Sequence, residues 1–75
     1  MKTQQRIISD KNIMLGKPVI YGTRITVELI LKKISEGATT EDLLSMYPQL
    51  NAEDIYACFT YAYNIVSREE VIELC

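Results

Sequence analysis

The spacing of apolar positions changes period along this chain, and each change marks an element. Residues 6–9, "RIIS", and 19–21, "VIY", are short β-branched runs, the second bounded by Pro18 and Gly22. Between them Asp10, Asn12 and Gly16 supply turn chemistry. A small antiparallel hairpin or irregular β arm is therefore expected. Two strands alone are barely stable in water, so the arm must pack on helices or pair with another chain's arm.

From Thr26 the period lengthens. Val27, Ile30, Leu31 and Ile34 recur at i, i+3, i+4 and i+7, which predicts an amphipathic helix capped by Thr26 and ended at Gly37. Two further helices begin with one device. "ATTEDLL" sets Thr39 as N-cap and Asp42 at the third helical position, with Ala38 opposite Leu43; "LNAEDIY" repeats it with Asn51, Asp54, Leu50 and Ile55. Pro48 ends the first of these helices. "SREE", residues 67–70, offers a third such box, opening a short last helix or restarting the preceding one.

The fold class read from this pattern is mostly α: a helix-turn-helix core of three to four helices behind a short N-terminal β hairpin or arm. A single domain spans 1–75, with residues 1–25 as β arm and turn and 26–75 as the helical core.

The long helix, about Ala52 to Val66, is predicted to put Ile55, Cys58, Phe59, Ala62 and Val66 on one core stripe. Tyr56, Tyr61, Tyr63 and Ile65 occupy much of its remaining circumference. A helix apolar nearly all round is usually buried, and 75 residues cannot wrap it. Those four side chains are accordingly candidates for a dimer interface, the alternative being exposure for recognition.

Composition narrows the chemistry. Histidine is absent, and the two cysteines lie 17 positions apart, one within a helical pattern. Neither a metal site nor a disulfide framework is expected. No apolar run approaches a membrane span, and residues 1–10 lack a signal-peptide core, so a cytoplasmic protein is expected. The paired acids Glu41–Asp42 and Glu53–Asp54 point about 100° apart on a helix and are explained by capping, so no catalytic residue, cofactor or small-molecule substrate is expected.

Charge is uneven although its sum is only −2: residues 1–33 carry +5 and residues 34–75 carry −7. The final long helix has acids but no arginine or lysine before Arg68, unlike a usual recognition helix. Any DNA contact would fall to the basic arm and first helix, through Lys2, Arg6, Lys11, Lys17, Arg24, Lys32 and Lys33 acting on the backbone.

The stretch "GKPVIYGTR", residues 16–24, lacks the spacing of a phosphate loop or a dinucleotide fingerprint. It reads as a chain corner. Arg24, just ahead of the first helix, is left with two roles: pairing with the acidic half, or meeting a phosphate or carboxylate.

In order and spacing, that stretch followed by a helix ending in glycine, the "YPQL" turn and "AEDI" resembles domain-of-unknown-function family 433, small prokaryotic proteins described as VapB-like antitoxins. The resemblance covers residues 16–62. It implies a homeodomain-like helix-turn-helix core with an N-terminal β element, a homodimer, pairing with a PIN-like ribonuclease toxin, and autoregulation at operator DNA. Gly16, Lys17, Pro18, Gly22, Thr23 and Arg24 are its signature positions and candidates for partner binding. Family members often carry a basic residue at position 21 and proline at 26, where this chain has Tyr21 and Thr26. The alternative function is a homodimeric interaction module without nucleic-acid binding. The end segment, with Val71, Ile72 and Leu74, is expected either to cap the core or to meet a partner.

Overall fold

A computed structural model describes residues 6–68. Strands β1 (Ile7–Ile8) and β2 (Val19–Ile20) form a two-stranded antiparallel hairpin, pairing Ile7 with Ile20 and Ile8 with Val19. Helices α1 (Val27–Ser35), α2 (Thr40–Met46) and α3 (Ala52–Ser67) follow. The mostly helical class with an N-terminal hairpin is as the pattern predicts. Lys2 and the end segment from Glu69 lie outside the described residues, as does the proposed restart of a helix there.

Each helix begins where its cap residue stands. Thr26 Oγ1 accepts from the Leu29 N–H at 3.0 Å. Thr39 and Asn51 each close a reciprocal box with Asp42 and Asp54. The α1 stop is equally explicit: Gly37, at φ +106°, donates to Ile34 O while Ala38 N–H reaches back to Lys33 O, the paired bonds of a Schellman end. The turn from α2 to α3 is closed by Leu50 N–H donating to Tyr47 O across Pro48.

One core is shared by all elements. Ile20, Val27, Ile30, Leu43, Ile55 and Cys58 are buried in it, with Ile25 and Leu50 at its edge. Leu50 and Ile55 pack together as the staple at the start of α3, and the hairpin is stabilised by laying Ile20 onto the helices.

The predicted stripe of α3 needs correcting. Ile55 and Cys58 are buried, joined by Ala57 and Asp54, but Phe59 and Val66 face solvent and Ala62 is half-buried. At 1.5 Å per residue α3 is ~24 Å long. Its last two turns outrun what α1, α2 and the hairpin can cover.

Candidate functional site

The stretch 16–24 is a corner built from three local devices. Gly22, at φ +83°, occupies the third position of a turn closed by Thr23 N–H donating to Ile20 O. The Thr23 hydroxyl donates to that same carbonyl at 2.7 Å and accepts from Ile25 N–H at 2.9 Å. The chain then doubles back beside β2, with Val19 bridging to Thr26 and Val27 N–H donating to Pro18 O. Gly22 and Thr23 thus hold the approach to α1. Ahead of Pro18 a single 3-10 turn carries Met14 at φ 49°, Leu15 at 60° and Gly16 at 86°, a left-handed run that leaves Leu15 exposed.

The basic candidates are placed very differently from one another. Arg6 is committed to the fold: its Nη1 donates to Asp54 Oδ1 at 2.9 Å, and its Nη2 lies 3.9 Å from Glu53. Asp54 is buried, and its second oxygen accepts from Asn51 N–H. This pairing of arm with α3 was not foreseen from the sequence, which offered Arg24 for the acidic half. Arg24 is exposed and, among the described residues, has neither a hydrogen bond nor an ion pair. Lys17 Nζ donates to Glu28 at 2.8 Å, holding the Glu28 carboxyl below its usual range. Lys32 pairs with Glu36 one turn later, which lowers the Glu36 carboxyl and raises the Lys32 ammonium. Such exposed pairs contribute little to stability and yield readily to another partner. Lys11 is exposed and Lys33 half-buried.

A chemically uniform surface belongs to α3. From Ile55 to Ser67 thirteen residues pass without a charged side chain. Tyr56, Phe59, Tyr63 and Val66 are 58, 41, 69 and 65% exposed, and their i, i+3, i+7, i+10 spacing places them in one seam. Of the four candidates for a dimer interface, Tyr56, Tyr63 and Ile65 are exposed, whereas Tyr61 packs partly against the core. Phe59 and Val66 take its place. The heptad spacing was present in the sequence, masked by the overlapping stripe one residue earlier. Beside this seam a groove of about 650 Å³ opens between α1 and α3. Val27 and Leu31 line one wall, Tyr61, Ala62 and Ile65 the other, with Pro18 also lining it.

Cys58 is sealed beneath this helix. Burial, reinforced by the Asp54 charge, pushes its thiol up to about 11, which disfavours the thiolate that nucleophilic chemistry would need. Among the described residues no group of three or more His, Cys, Asp or Glu could hold a metal ion, and no helix is long and apolar enough to cross a membrane.

Comparison with known proteins agrees with this architecture. An uncharacterized protein of Sinorhizobium fredii (strain NBRC 101917 / NGR234) is 34% identical over 56 residues, covering 75% of this chain. The chain spans about a quarter of that relative's length. The crystal structure of a DUF433 member protein from Anabaena variabilis superposes with a TM-score of 0.80 at 31% identity, covering 87% of this chain and 64% of the other. The family model described as "Protein of unknown function (DUF433)" matches residues 7–62, so this chain belongs to the DUF433 family.

Proposed function

We propose that this chain is a non-catalytic, antitoxin-type protein that binds and neutralises a PIN-like ribonuclease toxin and works as a homodimer. The observation that carries the reading is the uncharged, solvent-facing length of α3 with the apolar groove beside it. A surface of this kind on a small domain fits a protein partner and offers no reacting group. The short helix, closed turn and long helix (α2 to α3) have the outline of a helix-turn-helix, and the exposed Arg24 and Lys11 are available to operator phosphates.

A second reading is favoured by the ion pairs: a homodimeric interaction module that leaves nucleic acid alone. Arg6, Lys17 and Lys32 already hold acidic partners, and α3 begins with Glu53 and Asp54. Electrophoretic shift of the chain's own upstream DNA across salt concentrations separates the two, since phosphate contacts weaken steeply with salt. The toxin role is tested by co-expression with the product of the adjacent open reading frame. Co-purification and loss of that product's ribonuclease activity support it. Clean separation of two folded proteins, with the nuclease still active, overturns it.

A further inference from the structure

We infer that the exposed seam of α3 is covered by the same seam of a second copy, the two helices running antiparallel. The inference rests on the dimer in the reading above and assigns its contact face and direction. Toxin capture would then use surfaces outside the seam, among them the part of the α1–α3 groove lined by Val27, Leu31, Tyr61 and Ile65; Val66, at the groove's edge, belongs to the seam.

Three observations favour a second copy over a charged partner. The seam offers no charge to pair with: no Asp, Glu, Lys or Arg stands between Asp54 and Arg68. An identical face therefore meets it without like-charge repulsion, while an acidic or basic partner finds no counter-charge. Area is the second. At about 150–250 Å² per aromatic side chain, the exposed fractions of Tyr56, Phe59 and Tyr63 leave on the order of 300–400 Å² bare. Val66 adds to it, together a large share of the roughly 800 Å² one partner gives to a standard interface. The third is self-complementarity, which a two-fold contact requires. With the axis beside residue 61, Tyr56 lies opposite the smaller Val66, and Phe59 opposite Tyr63. Tyr56 is thus set against a side chain that leaves it room, and the Phe59 and Tyr63 rings meet as an aromatic pair.

Direction follows from the helix ends. Glu53 and Asp54 occupy the first turn of α3, and Arg68 caps its last. A parallel pair would set acidic first turn beside acidic first turn and align the two dipoles. The antiparallel pair opposes the two dipoles and keeps the acidic first turns apart, the arrangement the helix ends favour.

Sedimentation velocity of the full chain and thiol cross-linking test this together. Reporter cysteines are placed one at a time at Thr60 and Ser67 in a chain whose Cys75 is serine and whose remaining Cys58 is buried. Both positions flank the seam on the same side. Beside the axis, Thr60→Cys sits within ~3 Å of its twin along the helix direction, whereas Ser67→Cys is displaced by ~18 Å. We expect twice the single-chain mass, rapid cross-linking through Thr60→Cys, and at least tenfold slower cross-linking through Ser67→Cys. Tyr63→Glu, at an exposed position that leaves the helical circular dichroism unchanged, should weaken the pair by ~30-fold or more, as loss of an interface anchor does. A single-chain mass at 100 micromolar scale, a dimer indifferent to Tyr63→Glu, or equal cross-linking at the two positions each overturns the inference. Capture of the neighbouring gene product by a single-chain species would leave the toxin-binding role standing while the homodimer, and this inference with it, fails.

Discussion

Replacing Arg6 with methionine keeps the side chain's apolar stem and removes only the charge that Asp54 faces. Asp54 is 11% exposed at its side chain and Arg6 34%. Removing one partner from a fully buried pair costs ~3–5 kcal/mol, while exposed pairs are worth ~0–1 kcal/mol. The guanidinium is one-third in solvent, which sets the cost between these limits, at ~2 kcal/mol. A chain of this length is stable by only ~4–11 kcal/mol, so the loss is large. At ~4–8 °C per kcal/mol for a domain of this size, Arg6→Met should lower Tm by ~10–15 °C. Urea melts followed by circular dichroism provide the free energies. Asp54→Asn keeps an acceptor for Asn51 N–H and removes the charge, so the pair of substitutions forms a cycle. The double variant should be ~1–2 kcal/mol more stable than the sum of singles predicts. Additivity within ~0.5 kcal/mol, or a Tm shift below 2 °C for Arg6→Met, would refute the assignment of Arg6 to the fold.

Other consequences are equally direct. Gly37→Ala should cost ~1–2 kcal/mol from the left-handed backbone alone, because no neighbour lies within 4 Å of an added Cβ; Gly37→Asn should recover part of it, and equal Tm values for all three would contradict the Schellman end. Burial and the Asp54 charge raise the Cys58 thiol from 9.0 to about 11 in the folded chain, so folding holds that proton more tightly. The contribution is complete below about pH 9 and is lost as pH climbs through about 11, with a ceiling of ~3 kcal/mol. Stability of Cys58→Ala should therefore fall less steeply over that interval; parallel curves would count against it. Arg24→Ala should leave Tm unchanged while weakening capture of the toxin, and the opposite outcome would give Arg24 to the fold.

What the sequence disclosed was local. The caps at Thr26, Thr39 and Asn51, the stop at Gly37 and the corner at Gly22 and Thr23 are specified by residues within a few positions of one another, and each forms as its spacing predicts. What it concealed was tertiary. The Arg6–Asp54 pair joins residues 48 positions apart, and nothing in either segment names the other. Phe59 and Val66 satisfy a helical core period, yet which stripe is buried depends on how far the neighbouring elements reach along α3. They stop short. The same limit explains Tyr61, which belongs to the apolar circumference by sequence and to the core's edge by packing. Periodicity identifies apolar faces; only the extent of the partners decides which stay bare.

Tyr21 and Tyr63 provide a matched pair for the decisive measurement, being 68 and 69% exposed in the single chain. Only Tyr63 lies on the α3 seam. Nitration of the full chain at high concentration, read out by peptide mass, should modify Tyr21 several times faster than Tyr63, with the difference vanishing in Phe59→Glu. Equal modification of the two tyrosines in the unaltered chain would mean that the face stands open, and the account of α3 as a surface held by another chain would be wrong.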